Sequence, residues 1–177
     1  MNIKNVEFKA KIDEIGKYER KLLTLHPLFQ GTDHQIDTYF NAPNGRLKLR
    51  EGNIENALIN YDREDMAGSK ESQVILYKHE PDAGLKNILI KQLGVKTVVD
   101  KTRKIYFIDN VKFHFDLVAG LGTFMEVEAI DEAGTFTIEA LGLLCDHYFT
   151  FFELRPENLI DKSYSDLILE QFARKQF

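Results

Sequence analysis

Charged and polar residues recur at every second position in several stretches of this chain. Asn5, Glu7, Lys9 and Lys11 do so near the start, and Arg46, Lys48 and Arg50 in GRLKLR. Lys101 and Arg103 follow in DKTRK, His114 and Asp116 in KFHFD, and Glu126 and Glu128 in MEVEA. Arginine and lysine bind phosphate oxygens through charge-assisted hydrogen bonds. Carboxylates suit Mg²⁺ or Mn²⁺, which keep some of their waters and bridge phosphate oxygens. A polyanion held together with a divalent metal needs both kinds of group.

Such chemistry requires the groups to converge, so the elements that carry them matter. A strand sends alternate side chains to opposite faces, and each stretch therefore has one charged and one apolar face. The apolar faces carry Val6, Phe8, Leu47, Leu49, Phe113, Phe115 and Val127. For one strand, a charged face is ordinarily a solvated one. Taken together the stretches differ from that pattern. Cations gather on the middle strands, glutamates on the first and last, and amphipathic helices are available to cover the apolar faces. The charged faces then look at one another. Because an unpaired buried charge costs several kcal/mol or more, such an interior must be wet or filled by a ligand of complementary charge. A metal-bound triphosphate meets that demand.

The remaining pattern fits this arrangement. Strands are predicted over 3–11, 34–40, 45–51, 55–64, 73–79, 95–108, 111–118 and 122–130, with FFEL at 151–154 as a short extended piece. Helices are predicted from Asp13 to Leu25, from Pro81 to Leu93, from Thr135 to His147 and from Ser163 to Arg174. Asp13 is placed to cap the first helix, and Gly94 closes the second. Short connections such as NAPNG, EGN and the Asp109-Asn110 pair make most strand neighbours antiparallel. The expected fold is α+β: a closed eight-stranded antiparallel β-barrel with helices packed on the outside, in a single domain over 1–177.

The 177 residues are 44% hydrophobic and 29% charged, enough for one substantial core. A net charge of -5 argues against a general nucleic-acid binder or a protein held on anionic membranes, either of which carries a basic excess. The alternating N-terminus has no continuous apolar stretch, so a cytoplasmic location is expected. A lone cysteine, Cys145, excludes an internal disulfide and reads as a core thiol. An acidic barrel with exposed helices is compatible with a homodimer.

The order of these motifs resembles the CYTH superfamily, also called triphosphate tunnel metalloenzymes, which includes class IV adenylate cyclases, thiamine triphosphatases and inorganic triphosphatases. The opening Glu-x-Glu-x-Lys signature corresponds to NVEFK, with Asn5 in place of the first glutamate. QIDTYF, GRLKLR, YDRE, DKTRKIYF, FHFD and LGTFMEVEAI follow in family order. The resemblance implies that Glu7, Glu126 and Glu128 surround Mg²⁺ or Mn²⁺. It implies that Lys9, Lys48, Arg50, Arg63, Lys101 and Arg103 bind triphosphate oxygens, joined by Lys162 from the C-terminal segment. Lys9, Arg63 and Asp116 would take part in catalysis, Asp116 by ligating a second metal or orienting water.

Several outcomes remain open on this reading. In a cyclase, the ribose 3′-hydroxyl of ATP attacks the α-phosphorus and pyrophosphate leaves; in an inorganic or thiamine triphosphatase, water attacks the terminal phosphorus. QIDTYF and SYSDL resemble the cyclase branch. Asn5 brings an amide oxygen without charge, a weaker ligand for hard cations. It therefore favours a third outcome, nucleotide or polyphosphate binding without turnover. His114 shares the inner face as a phosphate donor, proton carrier or structural histidine, and Tyr39 and Tyr61 share that face on their strands. Lys11 and Arg46 have the same parity but suit the rim.

Overall fold

The computed structural model describes residues 2–62 and 70–174. Its elements run β1 (Asn2–Lys11), α1 (Ile15–Leu23), β2 (Leu28–Phe40), β3 (Arg46–Gly52), β4 (Ala57–Asp62), β5 (Lys70–Lys78), α2 (Ala83–Leu93), β6 (Val95–Ile108), β7 (Val111–Val118), β8 (Gly122–Asp131), α3 (Ile138–Phe151) and α4 (Tyr164–Arg174). Every strand pair is antiparallel, in the order β1-β5-β4-β3-β2-β6-β7-β8, and β1 also pairs with β8. The result is an α+β protein built on a curled antiparallel sheet. Its wall is uneven, since β2 and β6 have 13 and 14 residues but β3 and β4 have 7 and 6. Of the expected closed eight-stranded barrel, what stands is an eight-stranded antiparallel sheet that curls, tall on one side and low on the other.

The apolar faces of β1, β7 and β8 are buried on the outside of this curl. Val6, Phe8, Phe113, Phe115 and Val127 join Tyr18 and Leu22 of α1 and Leu141, Cys145 and Tyr148 of α3 in one core. The α3 stripe recurs at i, i+4 and i+7, so one helical face meets the sheet. Thr137 caps this helix by accepting from the Ala140 amide at 3.2 Å. The Cys145 thiol donates to the Val6 carbonyl at 3.2 Å, as suits a core thiol. Helix α2 lies by β2, with Leu85, Leu89 and Leu93 half-buried.

Helix α4 departs from the expected exterior packing. Tyr164, Leu167 and Ile168 pack against Tyr39, Tyr61, Val99, Val118 and Phe124, whose side chains point into the curl. That end of the interior is apolar and aromatic, so it must be sealed from water. The N-terminal turn of α4 provides the seal.

Other boundaries moved for local reasons. β2 begins six residues earlier than the predicted 34, with Leu28 and Phe29 largely exposed, where burial alternation gives no signal. A register shift between Phe29 and Gly31 interrupts the pattern further. FFEL is the end of α3 and a turn, in which Glu153 has φ 55°. Asp13 accepts from the Glu14 amide at 3.0 Å, while Glu14 occupies the cap position of α1. Gly45 turns β2 into β3 with φ 63°, and a Cβ there would lie 2.8 Å from the Tyr61 carbonyl oxygen. Glycine is needed there on both counts.

Candidate functional site

The curl encloses a cavity of about 680 Å³. Register places the inward residues together: Glu7 opposite Glu128, Lys9 opposite Glu126, His114 opposite Glu126, Arg103 opposite Asp116, and Arg50 opposite Asp37. Lys9, Lys48, Arg50, Lys101 and Arg103 line the cavity, as do Glu7, Glu126 and Glu128. Its wall also includes Asn5, His114, Tyr39 and Tyr61.

On β2, β3 and β6 the cations surround one carboxylate. Asp37, 1% exposed, accepts from Lys48 Nζ at 3.0 Å, from Lys101 Nζ at 2.8 Å, and from Arg50 Nε and Nη2 at 2.8 and 3.0 Å. Burial opposes its ionisation, but the three cations prevail and hold the carboxyl well below the usual range. Lys101 experiences the opposite balance. Burial, with Arg50, Arg103 and Lys48 nearby, lowers its ammonium to about 7 despite Asp37. An incoming anion would favour the charged form.

Glu55 adds a second carboxylate to this side. It accepts from Arg50 Nη1 at 2.9 Å and Gln35 Nε2 at 3.1 Å, and it also pairs with Lys112. The loop that carries it is fixed by buried Asp33, which accepts from the amides of Ile54 and Glu55 at 2.9 and 3.0 Å. A Cβ on Gly52 would lie 2.7 Å from Asp33 Oδ1, so this close approach needs glycine.

On β1, β7 and β8 carboxylates predominate. Glu126 meets Lys9 Nζ at 3.1 Å and Arg103 Nη2 at 2.6 Å. Its ionised form is favoured by Arg103, then Lys9, against burial. Glu128 lacks that degree of compensation. Burial first, then repulsion from Glu7, and also from Glu126, pushes its carboxyl up to about 7. His114 Nδ1 lies 3.4 Å from Glu126 Oε2 and 3.5 Å from Glu128 Oε1. Burial, then Arg103 and Lys112, lowers its pKa to about 3 and leaves the imidazole neutral.

This corner fits a divalent cation by its donors. His114, Glu126 and Glu128 can each offer a ligand atom within 4.8 Å of the others. The buried Asn5 Oδ1, on the same wall, has no hydrogen-bond partner among the described residues. Glu7 faces Glu128 across the β1–β8 ladder. The three carboxylates expected around a metal therefore share one region, with a buried imidazole among them.

Other predicted residues have different positions. Arg63 lies outside the described residues. Asp116 is fully buried, accepting from Arg103 Nε and Nη2 at 2.7 and 2.5 Å and from the Tyr164 hydroxyl at 2.7 Å. It orients Arg103. The Lys162 ammonium pairs with Glu170 of α4, while its backbone carbonyl accepts from Lys9 Nζ at 3.3 Å. Lys11 donates to the Leu121 carbonyl, and Arg46 Nη2 lies 3.0 Å from Asp166 Oδ2. These two fasten the end sealed by α4.

Sequence reasoning missed Asp37, Glu55, Lys112 and Tyr164. Asp37 shares parity with Tyr39, and Lys112 with His114, so alternation contained both signals. Glu55 is in a loop without periodicity. Tyr164 begins a helix, and its place under Lys9, 4.0 Å from the ring centroid, follows from how α4 docks.

The CYTH domain family matches residues 4–141. A Methanocaldococcus jannaschii protein described as "Putative adenylate cyclase" is 30% identical over 178 residues, covering 92% of this chain and 97% of that protein. A solved protein of Pyrococcus horikoshii OT3 has a TM-score of 0.78 at 23% identity, covering 92% of this chain and 98% of the other. A Vibrio parahaemolyticus structure described as a "putative adenylate cyclase" gives 0.71 at 16% identity, covering 93% and 97%. These two structures establish likeness of fold.

Proposed function

This chain belongs to the CYTH family, and from that premise we propose that it is a metal-dependent enzyme acting on a triphosphate compound. We assign the cyclase-like reaction, in which ATP yields cyclic AMP and pyrophosphate. The observation that carries this reading is the meeting of Lys9, Lys48, Arg50, Lys101 and Arg103 with Glu7, Glu126 and Glu128 on one cavity. The curled sheet then wraps the substrate as a closed tunnel. The M. jannaschii relative's description supports the choice of reaction.

Lys48, Arg50 and Lys101 receive phosphate oxygens once their hold on Asp37 is shared with the ligand. Arg103, held by Asp116, presents its guanidinium beside Glu126 and fixes the register of the chain of phosphates. Lys9 lies between Glu126 and Tyr164, at the junction of anion-binding and carboxylate groups. Glu7, Glu126 and Glu128, with Asn5 and His114 beside them, would hold Mg²⁺ or Mn²⁺. Such an ion supplies charge neutralisation on phosphate oxygens. The basic residues provide the same stabilisation as pyrophosphate leaves and the 3′-oxygen bonds to the α-phosphorus. The 3′-hydroxyl proton leaves to solvent water in that step.

The test is product analysis after incubation of the protein with ATP, inorganic triphosphate and thiamine triphosphate, each with Mg²⁺ or Mn²⁺. Cyclic AMP and pyrophosphate from ATP are expected. Free phosphate instead would assign hydrolysis. Intact substrates together with a raised melting temperature would assign binding without turnover.

A further inference from the structure

The carboxylate corner contains a donor that distinguishes it from an all-oxygen cation site. His114 is 1% exposed, on β7 between the apolar outer residues Phe113 and Phe115, and its ring can point only into the curl. Nδ1 faces Glu126 and Glu128, and Nε2 has no hydrogen-bond partner among the described residues. Asn5, 6% exposed, directs its Nδ2 towards Glu7 Oε2 at 3.5 Å and leaves Oδ1 without a partner among the described residues. A buried carbonyl oxygen lacking a partner is costly, and the ring nitrogen that stands beside the carboxylates, and so can join them as a ligand, is Nδ1.

We propose that His114 is a metal ligand and that, with Glu126 and Glu128, it makes a mixed nitrogen–oxygen site that takes a transition-metal ion such as Mn²⁺ in preference to Mg²⁺. Mg²⁺ demands near-octahedral oxygen ligation and gives up water reluctantly, whereas first-row transition ions take imidazole more readily, Mn²⁺ the least strongly among them, so Mn²⁺ is the most stringent probe of the preference. The neutral amide of Asn5 acts in the same direction, since its uncharged oxygen lowers the site's pull on a hard ion. Glu126 keeps Arg103 and Lys9 on its oxygens and still offers a further lone pair. This inference deepens the triphosphate reading but concerns cation binding without substrate.

The experiment uses the full chain with Mn²⁺ alone. Continuous-wave electron paramagnetic resonance follows loss of the free Mn²⁺ signal, Mg²⁺ is added as competitor, and pulsed spectra of the bound ion are examined for ¹⁴N modulation. Imidazole modulation is expected in the wild type and its loss in His114→Asp. Half displacement should need at least roughly tenfold more Mg²⁺ than Mn²⁺, the change a ligand's neighbour alone produces in metal affinity. Bound Mn²⁺ without nitrogen modulation, absence of Mn²⁺ binding, or displacement by equimolar Mg²⁺ would each overturn the assignment. If His114→Asp does not fold, as judged by its melting curve, the wild-type spectrum and competition decide. Turnover of ATP without nitrogen modulation would reject this inference and leave the triphosphate reading intact; modulation with no triphosphate turnover or binding would do the reverse.

Discussion

Two walls of one cavity handle buried charge in opposite ways. On β2, β3 and β6, Lys48, Arg50 and Lys101 share the carboxylate of Asp37, and Arg50 also reaches Glu55, so these three cations outnumber the two carboxylates and every one is held in place. On β1, β7 and β8, Glu7, Glu126 and Glu128 crowd together, and the crowding with burial raises Glu128 to about 7. One wall is therefore arranged for an anion and the other for a cation. Arg103, anchored by Asp116 and reaching Glu126, joins them. The difference teaches that pairing inside the protein keeps the binding groups ordered while leaving each wall with a surplus of one sign.

The strongest way to break this contrast is to remove the joint. Arg103→Ala leaves Asp116 and Glu126 buried beside a missing cation, and should cost about 3–5 kcal/mol in urea unfolding as well as abolishing stabilisation by triphosphate. A loss below about 1 kcal/mol, the range of an exposed pair, would mean that the two carboxylates are not held as described.

The next test separates the walls. Arg50→Ala should remove the rise in melting temperature produced by triphosphate and lower turnover by about 10²–10³-fold, yet preserve stabilisation by Mn²⁺ alone. Glu128→Gln should do the reverse: stabilisation by Mn²⁺ alone falls, and stabilisation by triphosphate without metal persists. Equal losses of both ligands in both variants would show one undivided site.

A smaller effect sharpens the acidic side through pH. Because the folded pKa of Glu128 is about 7 against an ordinary 4.5, the folded state binds more protons between these values. Its contribution to stability is present below pH 4.5 and is lost as pH rises through 7. The ligand-free melting temperature should carry a downward component across that window, and Glu128→Gln should flatten it. An unchanged slope in the variant would assign the component elsewhere.

The smallest expected change comes from Asn5→Glu. A carboxylate beside Glu7 should tighten Mn²⁺ by less than about tenfold, measured by the same resonance titration, while adding repulsion to the ligand-free protein. Unchanged affinity would show that position 5 does not reach the cation.

Much of this site was legible because strand alternation has a period of two. Glu7, Lys9, Lys48, Arg50, Lys101, Arg103, Glu126 and Glu128 all line the cavity, and Phe8, Phe113 and Val127 all lie in the outer core. The same rule would have placed Asp37 and Lys112. It could not place Glu55, whose loop has no repeating geometry, or distinguish Asp116, which turns Arg103, from a residue open to the cavity.

What the sequence by itself determined was which residues share a face, since the alternation of a strand is local to its own backbone. It also determined the sign of each face through residue type. The tertiary structure decided which faces meet, because register across β1–β8, β2–β3 and β7–β8 sets the opposing pairs. It decided as well that α4 seals one end, that Asp37 gathers three cations, and that His114 stands with Glu126 and Glu128. Those outcomes depend on contacts between residues far apart in the chain, where burial and Coulomb interactions act on groups that no local pattern connects.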